Sequence, residues 1–106
     1  MPKPMLEDII QRIVRIANPE RILLFGSAAR GEMGPDSDLD LLVIKRGLFK
    51  RRALAQEIYM NLFGAGIPVD IIIATPDEVE NYRDKVGSII PIALSEGREI
   101  YCAQSH

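Results

Sequence analysis

Three aspartates and a glycine–serine turn are the residues of this chain whose types and spacing suit chemistry. Phe25-Gly26-Ser27-Ala28-Ala29-Arg30-Gly31 is followed by Ser37-Asp38-Leu39-Asp40-Leu41 and later by Val69-Asp70-Ile71. On a strand, side chains alternate between faces, so residues two apart share a face about 6.6 Å apart along the backbone. Asp38 and Asp40 can therefore reach one shared cation. Magnesium is a hard ion, commonly held by one or two carboxylates together with substrate phosphates and water. In two-metal catalysis the ions lie about 3.5 to 4 Å apart, one activating the attacking oxygen and the other stabilising the leaving group. Asp70, on a neighbouring strand, is placed to complete the first site. It also becomes a candidate acceptor for the proton of an attacking hydroxyl, a role that needs hydrogen-bond reach. This outline suits metal-dependent nucleotidyl transfer.

Gly26-Ser27 stands where a strand gives way to a turn, so unpaired backbone N–H groups and the serine hydroxyl can face the outer phosphates of a nucleotide. Glycine permits the close approach. Arg30 has two readings that the sequence leaves open. Its guanidinium could give a fork of donors to phosphate oxygens, or it could pin the turn by pairing with Asp36 or Asp38. Taken singly the fragments are weak, since Gly-Ser and Asp36-Ser37-Asp38 are good turn sequences in their own right. Asp70 is different, because an ionised carboxylate between Val69 and Ile71 in an apolar strand is costly unless a cation or hydrogen bonds compensate it.

The elements that must position these residues read as a mixed α/β (α+β) fold. Leu6, Ile9, Ile10, Ile13 and Ala17 recur at helical spacing over residues 5–17, and Asn18-Pro19 ends that helix. Residues 21–25 form a first strand. Residues 38–45 form a second, whose apolar later half implies cover on both faces. Leu54, Ile58 and Leu62, with Ala55, Tyr59 and Phe63 on the adjoining row, predict a helix over 48–63 that packs on the sheet. Residues 67–73 form a third strand. Thr75-Pro76-Asp77-Glu78 has the cap, the first-turn proline and the acidic residues of a helix start, with the helix running to about Arg83. A last helix over 88–96 stops at Gly97, and residues 98–102 close the fold as a strand.

Spacing also predicts topology. Ten residues separate Ser27 from Asp38, fewer than the dozen or so that a parallel crossover needs, so the first two strands are antiparallel. The third returns through a helical connection, parallel to the second. Asp38, Asp40 and Asp70 then meet at one edge of the sheet. Other groups read as structural. Tyr59, Met60, Phe63 and the Ile89, Ile90 and Ile92 cluster are assigned to the core, and Lys50-Arg51-Arg52 to a solvated helix face. Cys102 reads as a small buried or rim thiol, and His106 is assigned nothing.

The 106 residues, 47% of them apolar, suffice for one domain spanning 1–106. A net charge of -2 and a pI near 5.4 argue against a dedicated nucleic-acid binder. A single cysteine excludes an internal disulfide framework and suits a reducing, cytoplasmic setting. Glu7, Asp8, Gln11 and Arg12 interrupt the N-terminal apolar positions, so no signal peptide or membrane span is expected.

Gly26-Ser27, ten residues, Asp38-x-Asp40 and then Asp70 in a following strand resemble the nucleotidyltransferase core of the DNA polymerase beta superfamily. Leu24 to Val43 and the closing Glu96-Gly97-Arg98-Glu99-Ile100-Tyr101 are similar to the minimal nucleotidyltransferases, often encoded beside a HEPN-domain protein as a toxin–antitoxin pair. The resemblance implies that Asp38, Asp40 and Asp70 bind magnesium and that Gly26 and Ser27 hold the triphosphate of ATP. It implies transfer of AMP to a tyrosine hydroxyl of a HEPN ribonuclease, which silences that toxin. Ala28 departs from the pattern, where many relatives carry a larger, often basic residue. Larger relatives add a substrate-binding domain, so acceptor recognition is expected here from a partner or from self-association. Two alternatives remain: neutralisation by binding and occlusion, and transfer to a small molecule or RNA end.

Overall fold

Strand order in the sheet explains how residues distant in sequence come to share one edge. A computed structural model describes residues 3–26, 29, 31, 38–64 and 66–103. The elements run α1 (Lys3–Ala17), β1 (Arg21–Phe25), β2 (Leu39–Ile44), α2 (Arg51–Leu62), β3 (Val69–Ala74), α3 (Pro76–Tyr82), α4 (Ile89–Glu96) and β4 (Arg98–Cys102). The four strands are ordered β3-β2-β1-β4. β1 is antiparallel to β2 and β2 is parallel to β3, as the connection lengths predict, and β4 adds antiparallel to the other side of β1.

The two faces of the sheet carry separate cores, built by strand alternation. Ile22, Leu24, Leu39, Leu41, Val43 and Ile73 pack with Ile9, Ile13 and Ala17 of α1 and Ile58 and Leu62 of α2. Leu23, Phe25, Leu42, Ile44 and Ala74 face the other way, against Ile90 and Ala93 of α4. Leu41, Leu42, Val43 and Ile44 are all buried, which confirms the expectation of cover on both faces. β2 is the strand on which both layers rest.

Local chemistry sets the ends of the helices. α1 stops at Asn18, which adopts a φ of 47° and donates its N–H to the Val14 carbonyl at 3.0 Å ahead of Pro19. α2 starts three residues later than its periodicity predicts. Gly47 has a φ of 94° and Lys50 is extended at φ −88°, ψ 106°, with no side-chain cap, so residues 48–50 belong to the connection. β3 starts at Val69 and not at residue 67. α3 has the expected cap: Thr75 Oγ1 accepts from the Glu78 N–H at 3.1 Å, and Glu78 Oε1 accepts from the Thr75 N–H at 2.9 Å.

Several residues assigned to the core are exposed. Phe63 and Met60 are 90% and 78% accessible, Tyr59 is 42% accessible, and Ile89 and Ile92 lie outside as well, leaving Ile90 as the buried member of its cluster. For α2 the reason is geometric: the helix rests on one side of an edge strand and buries its Ile58 and Leu62 row, and Tyr59 reaches the strand by its hydroxyl. Cys102 is exposed.

Two ion pairs connect elements at the end of the sheet remote from the aspartates. Glu20 meets Arg46 at 2.5 Å and Glu78 meets Arg51 at 2.5 Å. The hydrogen bond from Arg46 holds the Glu20 carboxyl below its ordinary pKa, against the effect of burial. For Glu78, burial raises the pKa, but hydrogen bonds from Arg51 and Thr75 outweigh it and the net shift is downward. A carboxyl with a lower pKa folded than unfolded stabilises the fold above the unfolded value, and that stability disappears as pH falls through the folded value. Melting temperature is therefore expected to fall below about pH 4.3 more steeply in the wild type than in a Glu20→Gln/Glu78→Gln variant. The difference will be modest, because both carboxylates are about a third exposed and screened by solvent. Parallel melting curves against pH for the two proteins would contradict it.

Candidate active site

Phe25, the last residue of β1, stands opposite Asp40, and Asp40 stands beside Asp70 in the parallel register of β2 and β3. Leu42, Ile44 and Ala74 belong to the core on the α4 side, so alternation puts Asp40 and Asp70 on that same face of the sheet. Asp38 shares the parity of Asp40 but lies one residue before β2 begins. The three sequence-predicted carboxylates thus come to one end of one sheet face. Asp40 is partly buried, while Asp38 and Asp70 are exposed.

Gly26 fits this end of the sheet because it has no side chain. Its φ is 76°, in the left-handed region that L side chains rarely adopt, and a Cβ there would collide with Oδ2 of Asp40. The Asp40 carboxylate occupies the space that any other residue at position 26 would fill. Ser27 and Arg30, read from sequence as phosphate contacts, lie outside the described residues, as does Asp36, and the two readings of Arg30 stay open.

Electrostatics single out Asp40. Burial, and then the charges of Asp70 and Asp38, push its pKa above the ordinary carboxylate value. Desolvation and the two neighbouring charges thus raise the cost of ionising Asp40, and a bound cation relieves that cost. Among the described residues, no three His, Cys, Asp or Glu side chains stand so that they could hold one metal ion together. The donor chemistry nevertheless suits a divalent ion, the three being hard oxygens and Asp40 standing where its unneutralised charge is disfavoured. Asp70, whose ionised carboxylate is expected to be costly in its apolar strand unless compensated, is exposed. β3 is the edge strand, so the carboxylate that pays for desolvation is Asp40, on the adjacent inner strand.

Sequence reasoning missed Tyr59. Its hydroxyl accepts a hydrogen bond from the backbone N–H of Ile71, the residue after Asp70, at 2.8 Å. Periodicity places Tyr59 correctly on the sheet side of α2, but it carries no sign that the hydroxyl reaches past the apolar layer to the strand edge.

The family model described as nucleotidyltransferase domain matches residues 5–100. The chain belongs to this nucleotidyltransferase family. Solved structures with the same fold include a chain of a toxin–antitoxin crystal structure with AMP-PNP, at 23% identity and a TM-score of 0.58, the match covering 92% of this chain and 74% of that one. Another belongs to a mutant of the toxin–antitoxin MntA-HpeT in which two aspartates two residues apart are replaced by glutamate. That match has 20% identity and a TM-score of 0.54, with the same 92% and 74% coverage. No curated protein matches the sequence significantly. Among the described residues of this nucleotidyltransferase, no helix is long and apolar enough to cross a membrane.

Proposed function

We propose that this nucleotidyltransferase transfers AMP from ATP, with magnesium, to a hydroxyl of a partner protein, and that it acts as the antitoxin of a HEPN ribonuclease whose tyrosine is the acceptor. The observation that carries the transfer chemistry is Asp40, held between bare Gly26 and Asp70, with Asp38 close enough to perturb it. Asp38 and Asp40 would hold the divalent ions, which when bound would supply charge neutralisation at the α-phosphate and the departing pyrophosphate. Asp70, on the open edge of the sheet, completes the first site, orients the attacking hydroxyl and receives its proton. A new oxygen–α-phosphorus bond forms as the α–β bridge breaks, and pyrophosphate leaves. Gly26 and Ser27 hold the outer phosphates, with Arg30 either donating to them or pinning the turn.

The partner is supported by two toxin–antitoxin structures that share the fold, one of them with the ATP analogue AMP-PNP. The second of these varies two aspartates with the spacing of Asp38 and Asp40. We read residues 1–106 as one cytoplasmic domain that obtains its acceptor by association.

The test is incubation with the neighbouring gene's product, labelled ATP and magnesium, comparing wild type with Asp38→Asn/Asp40→Asn. Label on a tyrosine of the partner, absent with the variant, is the expected result. Full neutralisation of the partner by the variant, with no label from either protein, would replace catalysis by occlusion. Turnover without any protein acceptor would move the reaction to a small molecule or RNA end.

A further inference from the structure

Backbone direction along β3 separates the groups that face the sheet from those that face outward. The Leu39 N–H donates to the Pro68 carbonyl at 3.0 Å and the Lys45 N–H to the Ala74 carbonyl at 2.9 Å. Strand polar groups alternate with a period of two, so residues 68, 70, 72 and 74 bond toward β2 while 69, 71 and 73 point away. The outward N–H of Ile71 is the one taken by Tyr59 Oη. Further along, the N–H of Thr75 is taken by Glu78 Oε1.

The peptide joining Asp70 to Ile71 is planar. Its carbonyl side faces β2 and its N–H side meets Tyr59, so the plane that begins at the Asp70 Cα is held from both directions. α2 is already anchored by Ile58 and Leu62, which are buried, whereas the Tyr59 side chain is largely outside that contact. What the hydroxyl adds is a fixed point beside an acidic residue on an edge strand, where β2 is the only sheet neighbour among the described residues.

We propose that Tyr59 is a positioning residue for Asp70: its hydroxyl, by accepting the Ile71 N–H, sets the direction from which the Asp70 carboxylate meets a divalent ion. The inference rests on reading Asp70 as the third metal-binding carboxylate. Closing a strand edge against unwanted pairing is a purely structural use of the same hydrogen bond, and the two roles separate experimentally.

The test compares wild type, Tyr59→Phe and a control, Glu20→Gln, which loses an ion pair at the far end of β1. Manganese binding in the presence of AMP-PNP is followed by the electron paramagnetic resonance of the free ion, with melting temperature measured alongside. Tyr59→Phe keeps the ring and removes the acceptor. It is expected to weaken manganese binding by about threefold to tenfold, the factor corresponding to one hydrogen bond of ordinary net strength, and to speed exchange of the Ile71 amide. The control is expected to bind manganese as the wild type does, with a modest loss of melting temperature. Unchanged affinity in Tyr59→Phe, or equal weakening in the control, overturns the positioning role. Failure of the wild type itself to bind manganese with AMP-PNP overturns the metal-site reading and this inference with it.

Discussion

Asp40→Asn is expected to lower nucleotidyl transfer by about 10³-fold or more, the several kcal/mol of charge stabilisation that a bound ion supplies being lost with its ligand. The metal-free protein is expected to melt no lower than the wild type. Asparagine keeps the shape of the side chain but presents a neutral oxygen. At neutral pH the Asp40 anion is partly desolvated and faces Asp70 and Asp38. A group whose pKa is raised by folding disfavours the folded state above that pKa, when it is ionised, so removing the charge removes a penalty. Magnesium with nucleotide should raise the melting temperature of the wild type and leave that of the variant unchanged. A variant that kept a tenth of its activity would take Asp40 out of the metal site.

Gly26→Ala is expected to damage both stability and activity, through one atom. At a φ of 76° an alanine costs about 1–2 kcal/mol, and each kcal/mol lowers the melting temperature of a domain of this size by about 4–8 °C. The new methyl also meets Oδ2 of Asp40 and drives the carboxylate from its place. Misplacement of a reacting group by about 1 Å can cost 10²-fold in rate, which is the loss expected in transfer assays. The two contributions separate in a double-mutant cycle on melting temperature. With Asp40→Ala the collision is absent and Gly26→Ala should cost only its backbone strain. Strictly additive losses would show that Gly26 does not act through Asp40.

Strand pairing and the grouping of the aspartates were legible because they follow from chain length and alternation. Ten residues between Ser27 and Asp38 cannot make a parallel crossover, and the apolar run over 41–44 needs cover on both faces. The cap at Thr75 was equally local, since a threonine before Pro76 and Glu78 needs no distant partner. Legibility ended where the outcome depends on which neighbour an element lacks. Met60 and Phe63 repeat at helical spacing as Ile58 and Leu62 do, yet they face outward because α2 borders an edge strand.

By itself, therefore, the sequence pointed to a kind of chemistry and to its candidate donors, the hard oxygens of Asp38, Asp40 and Asp70, with Gly26 as the residue able to turn beside them. Tertiary structure decided how those donors differ. Asp40, on an inner strand beside Gly26, is the partly desolvated carboxylate, whereas Asp70 stands exposed on an edge strand. The contact of Tyr59 with Ile71 belongs to the same class of fact. Residue types and local spacing specify what a side chain can do, but its desolvation and hydrogen-bond partners depend on sheet order and register, which arise only when distant segments pack together.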